Sequence, residues 1–568
     1  MEGNYRAPRW LKWLENRIDS GPQNWKQYTA ALIIFNIALF VYGFAVLALQ
    51  QWLPQIGDHK GMLAPTTIFN SVVSFMTNTN LQHYAGEVHL SNFSQVFFCI
   101  ANQYLSAAVG FCALAAIIRA FRGQATVGNF FVDMWRVVAY MFVPLSLLLG
   151  VLFLTQGTPM TFIGSHVVTT IEGVKQVISL GPVAALEPIK MLGTNGGGFF
   201  GMNAAHPFEN PTGFSNFFNT LAMMLFPFTL VFMYGRMLGK LKHAWVIFSV
   251  MMLLMAGTIV WAVYFDTLKP NPAFTNHKQS PTYEIADKSA PGGKRLVQLP
   301  AVAGLPVDQH LGNLEGKELR FGTSAGATYA SVTTDVTCGS INAENDALNP
   351  LAALAPMVGM WLNCVFGGKG VGMINFLIYL IIGIFIAGQM VGRTPEYLGR
   401  KIEGREVKLA VIALLIHPLL ILLPTGIFSA TDWGTKAESN PGPHGFSQIA
   451  YQFSSASANN GSAFDGLGVT YGFNDNKSPA PEAVAFDIAT GLVMVFGRYL
   501  PIIAMMVMAG FLGAKKSAPF GLGTLRDDTA TFGFLLLGTI LIVGALLFLP
   551  LAALGPLAEH LGPIPFGG

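Results

Sequence analysis

Four short stretches of this 568-residue chain have residue types that could hold a small charged ligand. The most conspicuous is Met191–Gly201, "MLGTNGGGFFG", in which Gly196, Gly198 and Gly201 stand at G-x-G-x-x-G spacing. Such spacing can cradle a phosphate, but a dinucleotide loop needs a buried strand before it, a helix of a soluble unit after it and an acid about 20 residues on. Here Pro182 and Pro188 punctuate the preceding segment and position 219 is Asn. The other stretches, "IFNSVVSFMTNTNLQ", "GATYASVTTDVTCGSIN" and "IAYQFSSASANNGSAF", share a plan with "VAALEPIKMLGTNGGGFF": a semi-apolar segment too short to span a membrane, then a tight polar turn. A plain surface loop would not recur four times in this form.

Other chemistry is scarce. The chain has no Walker loop ("GAKKS" at 513–517 lacks the glycine spacing) and no Asp-Lys-Thr-Gly-Thr phosphorylation string. The histidines include no H-E-x-x-H, and His417 in "LLIHPLL" reads as a satisfied helix-interior residue. Cys99, Cys112, Cys338 and Cys364 are scattered, which implies neither zinc nor a disulfide framework. Asp335, just before the third turn, suits either a cation ligand or a structural hydrogen bond.

The elements that would position these turns follow from composition. Hydrophobic residues make up 52% of the chain and charged residues 11%, against roughly 25% charged in soluble domains. A polytopic membrane protein is implied, and a formal net charge of +3 is too small to suggest nucleic acid. Apolar runs of spanning length, roughly 20 residues, lie near 29–49, 95–118, 137–155, 217–235, 244–265, 372–392, 407–429, 485–512 and 532–554, with a weaker segment at 350–366. Arg6, Arg9, Lys12, Arg17 and Lys26 precede the first run. Arg119, Arg122 and Arg136 follow the second, and Arg236, Lys240 and Lys242 the fourth. Arg393, Arg400, Lys401, Arg405 and Lys408 follow the sixth, and Lys515, Lys516 and Arg526 the eighth. These connections share one side, the cytoplasmic one. Residues 1–28 hold no cleavable signal. They read as a basic cytoplasmic tail or as a short interfacial helix carrying Trp10, Leu11, Leu14 and Ile18 on membrane lipid.

One turn falls in each outside loop, in phase with the spans. The fold class expected is therefore an all-α polytopic membrane protein of four pseudo-symmetric span–pore-loop–span repeats. The repeats cover 29–118, 137–235, 244–392 (with a long extracytoplasmic loop, 266–324) and 407–512, and 532–554 is an additional C-terminal span. A short helix that stops within the membrane turns its negative end inward, and irregular backbone there must be buried or line a wet cavity. Four such ends around one axis would make a ring of oxygens able to replace the hydration shell of a potassium-sized cation. No carboxylate ring recurs across the turns, which disfavours calcium and magnesium.

The strings "NWKQY", "SFMTNTNLQ", "EPIKMLGTNGGGFF", "HPFENPT", "EGKELRFG", "VGRTPEYLGRKIE", "NPGPHGF" and "NNGSAF" resemble, in order and over nearly the whole chain from Asn24, the potassium-binding A subunits of the Kdp potassium-transporting ATPase. The resemblance implies the potassium-channel-like transporter superfamily fold. It also implies a potassium-binding and translocating role in a high-affinity, ATP-driven uptake system of the bacterial plasma membrane. Potassium would be the transported ion. The implied partners are a P-type ATPase B subunit, a single-span C subunit and a small F-type peptide subunit. Carried over, the filter residues are Asn78, Thr79 and Asn80 with Gln82 beside them; Thr194, Asn195 and Gly196; Thr337, Cys338 and Gly339; and Asn459, Asn460 and Gly461.

The chain departs from the family pattern in four places: one span fewer ahead of "NWKQY", Asp335 in place of a small residue, a shortened segment at Asn363 and Cys364, and Lys369 within "GGKGVG". The break at Gly367, Gly368, Lys369 and Gly370 is expected to act as a gate beneath the filter. Arg393 near the inner mouth is a second gate candidate. Two alternatives are a stand-alone potassium channel or ion-coupled symporter of the same superfamily, and a solute carrier. Carriers commonly show two inverted halves, which the fourfold pattern does not match.

Overall fold

Asn24 starts the first long helix. Its side chain accepts from the Lys26 and Gln27 N–H groups, and Gln27 Oε1 accepts in return from the Asn24 N–H, a capping box. In the computed structural model, residues 8–269, 282–286, 294–298, 312–392, 394–472, 480–517 and 526–561 are described. Within them, helix α1 is Arg9–Ile18 and α2 is Trp25–Ala48. Then come α3 (Pro65–Met76), α4 (Asn92–Phe121), α5 (Phe130–Gln156), α6 (Val183–Leu192), α7 (Gly213–Leu238) and α8 (Leu241–Leu268). The second half holds α9 (Thr323–Asp335), α10 (Pro350–Leu362), α11 (Val371–Val391), α12 (Gly404–Ser429), α13 (Pro443–Ala458), α14 (Pro481–Ala514) and α15 (Ala530–Leu561).

Nine of these, α2, α4, α5, α7, α8, α11, α12, α14 and α15, are long and apolar enough to cross a membrane. The nine runs expected from sequence all fall on them, and the weak segment at 350–366 is the short helix α10. The N-terminal segment forms helix α1, tied to the start of α5 by Arg136 Nε donating to Glu15 Oε1 at 3.0 Å.

Four times the order is long helix, short helix, turn, long helix, with the short helix α10 interposed before α11 in the third unit. The long helices before and after each turn differ in burial. In α4, 89% of the apolar window is buried, and in α11 and α14 72% and 61%; in α5 and α12 only 28%. The inner helices carry the core, while the outer ones expose side chains such as Leu147, Leu148 and Val151, which suits contact with lipid rather than water. Among the described residues, three small antiparallel hairpins decorate the loops: β1 (His166–Thr169) with β2 (Lys175–Ile178), β3 (Thr282–Ala286) with β4 (Lys294–Gln298), and β5 (Glu396–Tyr397) with β6 (Arg400–Lys401).

Candidate functional site

Each of α3, α6, α9 and α13 ends in the same hydrogen bond. A carbonyl in the last turn accepts from the N–H five residues on: Ser74 from Thr79 at 2.9 Å, Lys190 from Asn195 at 2.9 Å, Thr333 from Cys338 at 2.7 Å and Ser455 from Asn460 at 2.9 Å. The backbone then repeats one conformational pattern. φ is positive at Asn78 and Asn80, at Thr194 and Gly196, at Thr337 and Gly339, and at Asn459 and Gly461, but not at the residue between each pair. Three of these positions hold glycine, which adopts positive φ freely, and Asn tolerates it better than most residues. Alternating the sign of φ undoes the usual strand geometry, in which successive peptide groups face opposite ways, and brings neighbouring carbonyls toward one side.

The turns close on one another in sequence order. A Cβ at Gly196 would stand 2.1 Å from Cys338 O, one at Gly339 2.0 Å from Asn460 O, and one at Gly461 2.0 Å from Thr79 O. At the fourth junction Asn80 holds the glycine position, and its Cβ is accommodated because residue 197 is glycine: a Cβ there would meet it at 2.7 Å. Asn78 Nδ2 donates to Thr194 O at 3.0 Å across the same junction. The result is a closed ring in which all twelve residues expected from sequence as the filter meet.

Within the ring, side-chain amides brace the turns. Asn459 Nδ2 donates to Thr79 Oγ1 and Met494 O, Asn460 Nδ2 to Thr333 O, and Asn195 Nδ2 to Gln103 O and Ile189 O. Gln82 brackets Gly198, donating to its carbonyl and accepting from its N–H, both at 3.0 Å. Among the described residues, the carbonyls of Asn78, Thr79, Thr337, Cys338, Asn459 and Asn460 accept no hydrogen bond, although the ring is buried. Buried carbonyls are otherwise almost always paired. A dehydrated cation would satisfy several at once.

Beneath the ring the third inner span is broken. The chain leaves α10 at Asn363, and passes through Phe366 and Gly367, all three at positive φ. Gly367 N donates to Asp335 O at 3.0 Å. A Cβ at Gly368 would be 2.7 Å from Thr337 Oγ1 and 3.7 Å from Thr194 Oγ1. The expected gate segment therefore abuts the inner lip of two turns. Lys369 is fully buried, with no hydrogen-bond partner for its ammonium, which lies 5.2 Å over the Phe226 ring.

Asp335 Oδ2 accepts from Thr258 Oγ1 of α8 at 2.6 Å, while its buried Oδ1 has no hydrogen-bond partner. His417 has both ring nitrogens engaged, with Ser457 Oγ at 2.8 Å and Met360 O at 3.0 Å. Arg393 lies outside the described residues.

Several residues escaped the sequence reading. Gln103 Nε2 donates to Gly197 O at 2.7 Å and Ser106 Oγ to Asn78 Oδ1 at 3.2 Å, so α4 supports two turns. Arg498 of α14 is buried, with Nη2 unpartnered and 2.9 Å from the place a Cβ would take at Gly110. The peptide of Lys369 crowds the same glycine, at 2.2 Å. Only tertiary packing brings these groups to the ring.

The chain matches the family model described as Potassium-transporting ATPase A subunit over residues 10–561. It is 45% identical over 538 residues (94% of this chain, 89% of the relative) to the potassium-transporting ATPase potassium-binding subunit of Geobacillus kaustophilus. It is 43% identical over 542 residues (95% and 88%) to the protein of that description from Granulibacter bethesdensis. The corresponding protein of Pseudomonas aeruginosa is 43% identical over 545 residues (95% and 89%).

Proposed function

The chain belongs to the family of potassium-transporting ATPase A subunits, and from that premise we propose that it is the potassium-binding and translocating subunit of an ATP-driven uptake system in a bacterial plasma membrane. The closed ring of four turns carries this reading. It offers a cation backbone oxygens from every quarter, fixed beforehand by side-chain amides, and no carboxylate. Such a ring favours a monovalent ion that fits it without reorganisation.

In this reading the four helix–turn units, 29–118, 137–235, 244–392 and 407–512, are the pore repeats, and 532–554 is the additional span. The filter comprises Asn78, Thr79, Asn80, Thr194, Asn195, Gly196, Thr337, Cys338, Gly339, Asn459, Asn460 and Gly461, with Gln82 as a brace. Gly367–Gly370 form the gate, and the buried ammonium of Lys369 opposes passage of a cation while the gate is closed.

Energy must come from elsewhere, because this chain carries no nucleotide loop or phosphorylation string. The relatives' names place them in an ATPase of several subunits. We assign the hydrolytic role to a P-type ATPase B subunit, with a single-span C subunit and a small peptide subunit completing the complex. No observation favours a stand-alone channel or symporter.

The test is co-purification of this chain with those candidate subunits, followed by an ATPase assay. Stimulation by potassium at concentrations where sodium has no effect is expected. A complex that forms but ignores potassium contradicts the reading.

A further inference from the structure

The second turn differs from the other three in how it is braced. Six residues before the second positive-φ residue of each turn stand Ser74, Lys190, Thr333 and Ser455, so a charged side chain occupies one position of four. Turns one, three and four are closed by hydroxyls. Ser74 Oγ donates to Leu81 O at 3.0 Å, Tyr329 OH meets Ser340 Oγ at 2.8 Å, and Tyr451 OH meets Ser462 Oγ at 2.8 Å.

The second turn has no side chain to offer for such a bridge, because Gly196, Gly197 and Gly198 follow one another. Each glycine is demanded by its surroundings. Gly196 adopts φ +82° against Cys338 O, Gly197 faces Asn80 Cβ, and a Cβ at Gly198 would stand 2.5 Å from Glu209 Oε1. Three glycines in a row also give the turn the greatest freedom to lose its shape.

Opposite them lies a fully buried ionic cluster. Lys190 Nζ is 3.0 Å from Glu187 Oε2 and 2.5 Å from Glu209 Oε2. Glu209 Oε1 accepts from the Phe200 N–H at 2.8 Å, on the arm leaving the turn. The Lys190 carbonyl accepts from the Asn195 N–H, on the arm entering it. One residue thus holds both arms, the first by its backbone and the second through Glu209.

We propose that Lys190, held between Glu187 and Glu209, is a positioning residue that fixes the shape of the second turn and thereby sets the discrimination of the ring between potassium and sodium. The proposal rests on the reading of the ring as a potassium filter. Without the clamp, the three-glycine arm relaxes toward smaller ions, and the carbonyl of Asn195 no longer holds the spacing that matches potassium. Removing one partner of a buried ion pair leaves an uncompensated buried charge and is costly, so the clamp resists partial opening.

The test uses the assembled transporter with Lys190→Met and Glu209→Gln. The second change keeps an acceptor for Phe200 while removing the negative charge that faces Lys190. Half-saturating concentrations of potassium and of sodium for ATPase stimulation are measured, together with deuterium exchange of amides 195–200. Lys190→Met should raise half-saturating potassium at least tenfold and reduce the preference over sodium by a similar factor. Glu209→Gln should shift both two- to fivefold. Maximal rate at saturating potassium should stay within twofold, and exchange should quicken in the second turn but not at 338–341 or 460–463.

Should Lys190→Met fail to assemble, Glu187→Gln leaves the Lys190–Glu209 contact in place, and a two- to fivefold loss of preference is expected from it. Assembled variants with unchanged ion preference and unchanged exchange overturn the proposal. So does a fall in maximal rate with no change in preference, which is the signature of a merely structural brace. A wild-type complex unresponsive to potassium would sink the filter reading instead, and the exchange data would still decide whether the clamp shapes the turn.

Discussion

Gly196 is the residue whose replacement bears most directly on the ring. An alanine there must hold a conformation that costs an L-residue about 1–2 kcal/mol, and its Cβ would stand 2.1 Å from the Cys338 carbonyl, a backbone atom that cannot swing aside. Gly196→Ala is expected to weaken apparent potassium affinity at least tenfold, the equivalent of about 1.4 kcal/mol, with insertion into the membrane unchanged. Potassium-dependent ATPase titration of the assembled complex measures it, and unchanged affinity would remove Gly196 from the filter. Lys369 yields a second expectation. If the buried amine is protonated and lies ~5 Å from the ion path, at an effective dielectric of ~20 it opposes a passing cation by about 3 kcal/mol, roughly a hundredfold in occupancy. Lys369→Ala should raise passive potassium flux through the isolated chain in liposomes, while Lys369→Arg should not. Equal flux in wild type and Lys369→Ala would clear the lysine of a gating role.

At the scale of elements, the spans and turns were legible because their signals are local. Apolar runs of spanning length, basic connections on one side, and a polar turn after each short apolar segment can all be read along the chain. The braces were not legible. Glu187 and Lys190 stand three apart, the spacing of a helical ion pair, yet Glu209, Gln103, Ser106 and Arg498 reach the site only through tertiary packing. The hairpin of β5 and β6 was likewise unforeseen, because two-residue strands leave no period to read. One tie between elements has a pH signature. His444, near the start of α13, lies 3.1 Å from Asp346 Oδ1 and 2.8 Å from Glu559 Oε1 at the end of α15. Burial alone would lower its pKa, but the hydrogen bonds and charges of Asp346 and Glu559 outweigh burial and push it up to about 10. Its ordinary value is near 6.5, so the tie is fully present below about pH 6.5 and is lost as pH rises through 10. His444→Gln should lower the melting temperature by roughly 2 °C at pH 6.5 and by nothing above pH 10. An equal deficit at both pH values would show that the imidazole charge plays no part.

On the proposed reading, the whole molecule is a pathway that a partner must drive. Among the described residues, nine helices are long and apolar enough to cross a membrane, and the sequence shows no Walker loop or Asp-Lys-Thr-Gly-Thr string. Expressed without partners in a host deficient in potassium uptake, it should not restore growth at micromolar potassium; rescue by the chain alone would favour a symporter. The central claim, that the four turns together form the potassium site, is open to direct observation with rubidium, a potassium mimic with a usable X-ray absorption edge. An anomalous difference map of the protein crystallised in rubidium should show a peak inside the ring, ligated by backbone carbonyls from all four turns, among them Thr79, Asn195, Cys338 and Asn460, and an equal concentration of sodium should abolish none of it. A rubidium peak away from the ring, or a ring that stays empty while rubidium drives ATP hydrolysis, would contradict the account.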